Sequence, residues 1–376
     1  MIFLHTSDWH LGATGGERDL WDDQKYFIDA ICDIVREKNV DAVLLAGDVY
    51  DRSVPAASAI GLYDYAMNRL CGELGVKVLT IAGNHDSAER LASCAGLLDK
   101  AGLYLQGAAQ REPRVVEFAD SQVFFLPWIT EEKIKSLYPE ERDGITDLTE
   151  AYRVAVNHMR EKFIPGKHHL LLSHAFITNA ETSTSDRAAE IGFATQVPAS
   201  AFEGFDYVAL GHIHKPQQVN PFIRYSGSPM AYSFGKEERQ EKSVTLIDTA
   251  SMTQQVVLLP LLHRWTTLTD SYEALLAGEY PEEIREGYVR LNVTDTAVGL
   301  DMLSRLRQVY PNALVVAGKT YDGEDTTITL TMEQLEQMES DPAEVFKSFC
   351  REEMGQEATD HFLQLFARAV EEADAE

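Results

Sequence analysis

A chain of 376 residues is long enough to bury one large core and to carry one or two smaller modules, so two or three domains are expected. Its hydrophobic fraction of 45% and charged fraction of 25% are those of an ordinary globular protein and exclude a fibre or bulk disorder. The balance of 33 basic against 60 acidic residues gives a net charge of −27, which argues against coating nucleic acid by bulk electrostatics. The acid is concentrated at the end, where Trp265 to Glu376 hold 8 basic and 24 acidic residues. The amino terminus lacks the basic and long apolar regions of a signal peptide, and no run reaches the roughly 18 to 20 apolar residues that span a bilayer. A cytoplasmic protein without membrane contact is therefore expected. Cys32, Cys71, Cys94 and Cys350 are scattered without C-x-x-C spacing, which argues against a disulfide framework and a zinc knuckle and points to core or neutral positions.

In chain order, apolar β-rich runs recur and end in polar residues: 2–4 before Asp8, 42–45 before Asp48, 77–81 before Asn84, 169–172 before His174 and 207–210 before His212. Such near-continuous runs predict strands covered on both faces, with ligand-binding residues gathered along one sheet edge. Between them, Phe27, Ile28, Ile31, Ile34 and Val35 predict one helix; Ile60, Tyr63, Met67 and Leu70 a second; Leu148, Tyr152, Val156, Met159 and Phe163 a third. The fold class is layered α/β. Residues 124–127, 222–225 and 244–248 supply strands for a second sheet, and the long polar segment 175–205 predicts a mobile loop near the site. After about residue 260 the character changes. Residues 287–293, 313–316 and 326–330 predict strands and 300–309 a helix, forming a small α/β capping domain. From Asp341 onward, Val345, Phe346 and Phe349, then Phe362, Leu365, Phe366, Ala369 and Val370, mark two amphipathic helices joined at Gly355. The expected division is 1–265, 266–335 and 336–376.

The chemistry lies at the strand ends. In Asp8-x-His10 an extended backbone would turn both side chains to one side, so both could bind one cation. Gly47-Asp48 adds a carboxylate able to bridge two ions; Asn84 adds a neutral oxygen; His174, His212 and His214 add imidazoles. Gly47, Gly83 and Gly211 allow close backbone approach where ligands crowd. Mixed oxygen and imidazole donors suit Mn, Fe, Co or Zn better than Ca or Mg. Such a set can hold two ions about 3.5 to 4 Å apart, which clamp a phosphate and activate water for in-line displacement. His85, beside a ligand but free to point elsewhere, is placed to act as general acid toward the leaving oxygen or to stabilise the transition state. Each fragment alone is commonplace; their order at successive strand ends is not. His5, His158, His168, His169, His263 and His361 are read as surface or core positions.

These motifs, with Gly83-Asn84-His85-Asp86, Ser173-His174 and Gly211-His212-x-His214, resemble the calcineurin-like metallophosphoesterase family. The likeness implies a four-layer sandwich of two β-sheets flanked by helices. It also implies one metal held by Asp8, His10, Asp48 and His214, a second by Asp48, Asn84, His174 and His212, and catalysis by His85. A narrower resemblance, carried by residues 5–12, 46–51, 81–87, 206–217 and 225–229, is to the SbcD family of bacterial nuclease subunits. It implies two divalent ions, Mn2+ foremost with Mg, Fe, Co or Zn as alternatives. It further implies exonuclease action on double-stranded DNA ends, endonuclease action on single strands and hairpins, an SbcC-type coiled-coil ATPase docked on the C-terminal helices, and a homodimer with its interface near residues 56–100. Position 51 is Asp, where Mre-type relatives carry a second functional histidine, so no catalytic role follows for it.

DNA contact would need local cations, for which Arg18, Arg52, Arg90, Arg187, Lys215 and Lys236 are candidates near the motifs. The acidic tail would repel DNA and suits protein docking instead, with self-packing as the competing explanation of its apolar stripe. Two other functions compete with a DNA nuclease: a metallophosphodiesterase or phosphatase acting on a nucleotide or phosphoprotein, and a scaffold that keeps the fold without catalysis. The 110 residues after the site disfavour the former, and the intact ligand set disfavours the latter.

Overall fold

The computed structural model describes residues 1–16, 18–186, 196–297, 300–319 and 327–331, with residues 346–347, 350, 358–359, 362–363 and 365–368. They form two compact units, one of residues 1–15 and 19–262 and the other of 16–18 and 263–376. No helix among the described residues is long and apolar enough to cross a membrane.

The larger unit is built on two six-stranded sheets. The first runs Thr253–Leu258, Ser243–Asp248, Ile2–Thr6, Ala42–Ala46, Lys77–Ile81, Leu103–Gln106. The second runs Gln217–Asn220, Ile223–Tyr225, Tyr207–Gly211, His168–His174, Ser121–Leu126, Val115–Glu117. Central strands in both are parallel. Antiparallel strands close the edge beside Ile2–Thr6 in the first sheet and both edges of the second. Strand sequences such as Ala42-Val-Leu-Leu-Ala46 are apolar throughout because both faces are covered. Phe3, Leu44, Leu79, Val123, Phe125, Leu170, Leu172 and Ala209 of one face pack between the sheets. Helix Leu148–Arg160 buries Tyr152, Val156 and Met159 against the outer face of the second sheet.

His5 interrupts the apolar filling between the sheets. Its Nε2–H donates to the Leu210 carbonyl at 3.1 Å, and its Nδ1 accepts from the Tyr207 hydroxyl at 2.9 Å. A fully buried imidazole with both nitrogens satisfied has no room for a second ring proton, and burial lowers its pKa to about 3. The unfolded chain takes up that proton near pH 6.5 while the folded chain refuses it, so the group's contribution is intact above 6.5 and is lost as pH falls toward 3. Each unit of acidification in that window costs about 1.4 kcal/mol. Urea titrations at pH 6.5 and 5 are therefore expected to show the stability gap between wild type and His5→Gln shrinking by about 2 kcal/mol. A gap independent of pH would refute the account.

Three expectations change at this level. Helix Ala57–Met67 continues as a wider turn over Asn68–Glu73, and its core face is Ala59, Leu62, Ala66, Met67 and Leu70, which keeps Met67 and Leu70 of the expected stripe while Ile60 is 50% exposed. The stretch is apolar nearly all round, so a 3.6-residue period does not single out one face. Segment 175–205 is structured in part: Phe176–Ile177 pairs with Gln196–Val197, and Ala199–Phe202 forms a short helical turn. Residues 187–195, including Arg187, lie outside the described residues. In the smaller unit, Trp265–Asp270 joins Tyr288–Ala297, Ala313–Lys319 and Thr327–Thr331 in a four-stranded sheet, the first three parallel. Leu268, Leu275, Val289, Leu291, Leu306 and Tyr310 fill its core. Of the C-terminal stripe, Phe346 and Phe366 stack at 4.4 Å, whereas Phe362 and Leu365 are about half exposed. Val345, Phe349, Gly355, His361, Ala369 and Val370 lie outside the described residues.

Candidate metal centre

The predicted ligands follow strands Ile2–Thr6, Ala42–Ala46, Lys77–Ile81 and Tyr207–Gly211, and His174 is the last residue of His168–His174. All are central strands, so their carboxyl ends meet where the two sheets face each other. The structure gathers the carboxylates and imidazoles into two fully buried sets, Asp8 with His10 and His214, and Asp48 with His174 and His212, and a third, more open one of His10 with Asp51 and His85. Asn84 joins the second set, its Oδ1 lying 2.9 Å from His174 Nε2 and 3.0 Å from His212 Nδ1.

Backbone geometry differs from the expected pleat. Asp8, His10 and Asp48 sit at φ 53°, 42° and 48°, and His212 at 105°. Positive φ at residues with a Cβ is uncommon and carries strain that surrounding structure must hold. Asp8 and His10 therefore converge through a left-handed turn beyond the strand, not through the i, i+2 alternation of an extended chain. Hydrogen bonds supply the restraint: Asp8 N to Gly47 O at 3.1 Å, His10 N to Asp48 O at 3.0 Å, and His212 N to Asp8 Oδ1 at 2.9 Å. Gly83 leaves the space this crowding needs, since a Cβ there would collide with Asp48 Oδ1.

The tautomers follow from partner chemistry. His174 Nδ1 donates to the Ala46 carbonyl at 2.8 Å, so its Nε2 faces Asn84 Oδ1 and, at 3.4 Å, Asp48 Oδ2. A lone pair aimed at two oxygens demands a proton or a cation between them. Burial works against charge on His174, but Asp48 and Asp8 outweigh it and raise its pKa to about 9. Asp48 is conversely held well below the usual carboxylate range: burial opposes its ionisation, and His174 followed by His10 and His85 overcome it. Burial pushes Asp8 up, lowers His10 well below the ordinary histidine value, and takes His212 down to about 3. His10 Nε2 lies 3.0 Å from His214 Nε2, both buried. Two imidazole nitrogens facing each other across that distance, with Asp8 beside them, match a cation's donors better than each other's. Inward lone pairs with the outer ring nitrogen tied to a carbonyl are the usual second layer of histidine metal sites. The residues present therefore fit divalent ions.

His85 stands apart from the two buried sets yet belongs to the site. Its backbone N–H donates to Asp48 Oδ1 and its Nδ1–H to the Asp51 carbonyl, each at 2.9 Å, and its ring lies 4.6 Å from that of His10. Asp51 thus orients His85 through its main chain; its carboxylate comes 3.9 Å from His10 Nδ1. Asp86 braces the floor, accepting from Gly83, Val49 and Tyr50 N–H groups. Burial raises Asp86 to about 6.

Several residues escape a motif reading. The half-buried Trp128 stacks on His212 at 5.2 Å and meets His174 edge-on at 6.0 Å. Tyr232 lies edge-on to His10 at 5.5 Å, its hydroxyl donating to the Trp9 carbonyl. Ser185, Asp186, Glu237 and Lys242 surround His214. Burial opposes ionisation of Glu237, yet Lys242 and His214 hold it well below the usual carboxylate range. Their sequence signal is slight: Glu237 and Lys242 lie in an ordinary charged stretch, and only a fold brings them to His214. Of the candidate DNA-contacting cations, Lys215 is paired with Glu181, Arg52 lies beside Asp51, and Arg18 lies over the Tyr288 ring within the smaller unit. Arg90 and Lys236 are exposed.

A family model described as Calcineurin-like phosphoesterase matches residues 1–216. A second, described as Type 5 capsule protein repressor C-terminal domain, matches residues 261–354. The chain is 30% identical over 326 residues to the D subunit of the nuclease SbcCD of Staphylococcus epidermidis, covering 86% of each chain. It is 27% identical over 325 residues to the protein of the same name from Staphylococcus saprophyticus, again covering 86% of each. Among solved structures, calcineurin-like phosphoesterase YfkN from Bacillus subtilis matches with a TM-score of 0.36 at 11% identity, over 70% of this chain and 92% of that one. Since the first family model takes in more than half of the chain and these relatives run through both matched segments, the chain belongs to the calcineurin-like phosphoesterase family, in its branch of SbcD nuclease subunits.

Proposed function

We propose that this protein is the nuclease subunit of an SbcCD-type complex, a metal-dependent phosphodiesterase that cuts double-stranded DNA ends, single strands and hairpins. The observation that carries the reading is the convergence of two buried donor sets at the facing strand ends with His85 beside them. Asp8, His10, Asp48 and His214 would hold one divalent ion, and Asp48, Asn84, His174 and His212 the other, with Mn2+ the ion of choice. Such ions supply positive charge for the phosphate and lower the pKa of bound water. The chain's own residues do the rest. Asp48 offers Oδ2 toward both His10 and His174, at 3.8 and 3.4 Å, and so ties the two sets together. His85 keeps its Nδ1 proton on the Asp51 carbonyl, so that as an imidazolium it would give its second ring proton, on Nε2, to the departing deoxyribose oxygen and return to the neutral Nδ1–H form.

The choice of DNA rests on the named relatives, nuclease subunits whose likeness covers 86% of the chain. The half-exposed Phe362 and Leu365 support docking of an SbcC-type coiled-coil ATPase on the C-terminal helices. Ile60 and Leu97, 50% and 70% exposed, support a homodimer interface within residues 56–100. Incubation with Mn2+ and the ATPase partner is expected to open a hairpin DNA and to hydrolyse a chromogenic phosphodiester. Hydrolysis of the small ester with the hairpin left intact would overturn the DNA reading and favour a nucleotide or phosphoprotein substrate.

A further inference from the structure

We propose that Glu237, Lys242 and Ser185 form a clamp that positions His214 and so sets the affinity of one of the two metal ions, an inference resting on the two-ion reading above. His214 Nδ1 donates to Ser185 Oγ at 2.5 Å, and that hydroxyl donates in turn to Glu237 Oε1, itself 3.5 Å from His214 Nδ1. On the opposite side of the residue, Lys242 Nζ donates to the His214 carbonyl at 3.2 Å and to Ser228 Oγ at 2.9 Å. Glu237 Oε2 completes the circuit 3.7 Å from Lys242 Nζ, and it accepts from Tyr232 N–H at 2.8 Å. The backbone N–H of His214 donates to Asp186 Oδ1 at 3.1 Å. His214 is thus held at its ring, its amide and its carbonyl.

Stability does not account for this arrangement. Glu237 and Lys242 are each 1% exposed, and a buried ion pair of this kind generally stabilises a fold no more than well-packed apolar residues of the same volume. What the pair does is local. His174, the last residue of its strand, is oriented by a backbone carbonyl of the neighbouring sheet. His214 stands three residues beyond its strand, past His212 at φ 105°, and its ring Nδ1 meets the Ser185 hydroxyl where His174 meets a carbonyl. The charged pair and that hydroxyl fix the Nδ1–H tautomer and turn the Nε2 lone pair toward His10 and Asp8. Ser185 comes from a loop that is itself fastened to the same turn, through Lys236 N–H to Thr184 Oγ1 at 3.1 Å and Gln240 Nε2 to Ser183 Oγ at 2.9 Å.

The test compares two variants with wild type. Ser185→Ala removes the hydroxyl alone. The double variant Glu237→Gln with Lys242→Met removes both buried charges together, so no unpaired ion is left in the core. Mn2+ titrations followed by the resonance of the free ion, with thermal melts as a check on folding, are expected to give two ions per wild-type chain. In both variants one ion should bind about 10 to 100-fold more weakly while the other keeps its wild-type affinity. Wild-type affinity for both ions in the variants, or equal weakening of both, would overturn the clamp. A wild-type chain that takes up fewer than two ions would instead overturn the two-ion reading.

Discussion

Asp48→Ala is expected to strip the protein of both ions and to abolish cleavage. Its Oδ2 lies 3.4 Å from His174 Nε2 and 3.8 Å from His10 Nε2, one from each donor set, and its Oδ1 accepts the His85 backbone N–H. Outer-layer partners of a metal ligand are worth about 10 to 100-fold in affinity, so loss of a carboxylate shared by both sites should exceed about 100-fold for each ion. The substitution also has a proton signature. With Asp48 and Asp8 beside it, His174 stays protonated up to about pH 9, and an ion must displace that proton to reach Nε2. Binding at the Asn84, His174 and His212 set should therefore weaken about tenfold for each unit of pH below 9, for as long as the proton competes. Without Asp48, the largest favourable influence on the His174 proton is gone and that pH dependence should fade with the affinity. Metal analysis of the purified variant, and calorimetry in buffers of different ionisation enthalpy, read the two effects separately. Two ions retained per chain in Asp48→Ala would refute the shared-ligand assignment.

Much of this candidate centre was legible in the sequence, because a donor residue at a parallel strand end leaves a local mark. An apolar run stops, a glycine gives room, and an Asp, Asn or His follows; Asp48 after Gly47 and His212 after Gly211 are of this kind. Residue identity was therefore easier to read than geometry. Asp8 and His10 do converge, but through positive φ values imposed by hydrogen bonds to Gly47 and Asp48, contacts that lie some forty positions away in the chain. Amphipathic pattern succeeded where polar residues interrupt it, as in helix Trp21–Glu37, which buries Phe27, Ile28, Ile31, Ile34 and Val35. It failed at Ile60, where Ala, Leu, Ile and Met surround the helix and burial is decided by the neighbouring element alone. His5 was read as a surface or core position and is fully buried, yet its work as the polar bridge between sheets depends on Tyr207 and Leu210. Glu237 and Lys242 were invisible for the same reason: a buried charge and a surface charge are the same letter until the fold places them.

The second large effect is expected at His85. Substitution by Gln removes an imidazole that can carry a proton to the leaving oxygen without belonging to either of the two fully buried donor sets. General acid catalysis of this kind contributes about 10² to 10⁴-fold, so hairpin cleavage by His85→Gln should fall by that amount. The backbone N–H of residue 85 still reaches Asp48 Oδ1, and neither of the two fully buried donor sets loses an atom, so two Mn2+ should bind with affinities near wild type. A fall in kcat with KM little changed would mark an interaction made in the transition state. The leaving group supplies the sharper discrimination. A deoxyribose oxygen departs as a strongly basic alkoxide unless it is protonated, whereas p-nitrophenolate is stable enough to leave unaided. If His85 is the acid, the variant should lose its activity on DNA and keep most of it on bis(p-nitrophenyl) phosphate. If His85 instead stabilises charge on the phosphate, both substrates should suffer alike, since both pass through the same phosphoryl geometry. Unimpaired DNA cleavage would remove His85 from the chemistry altogether.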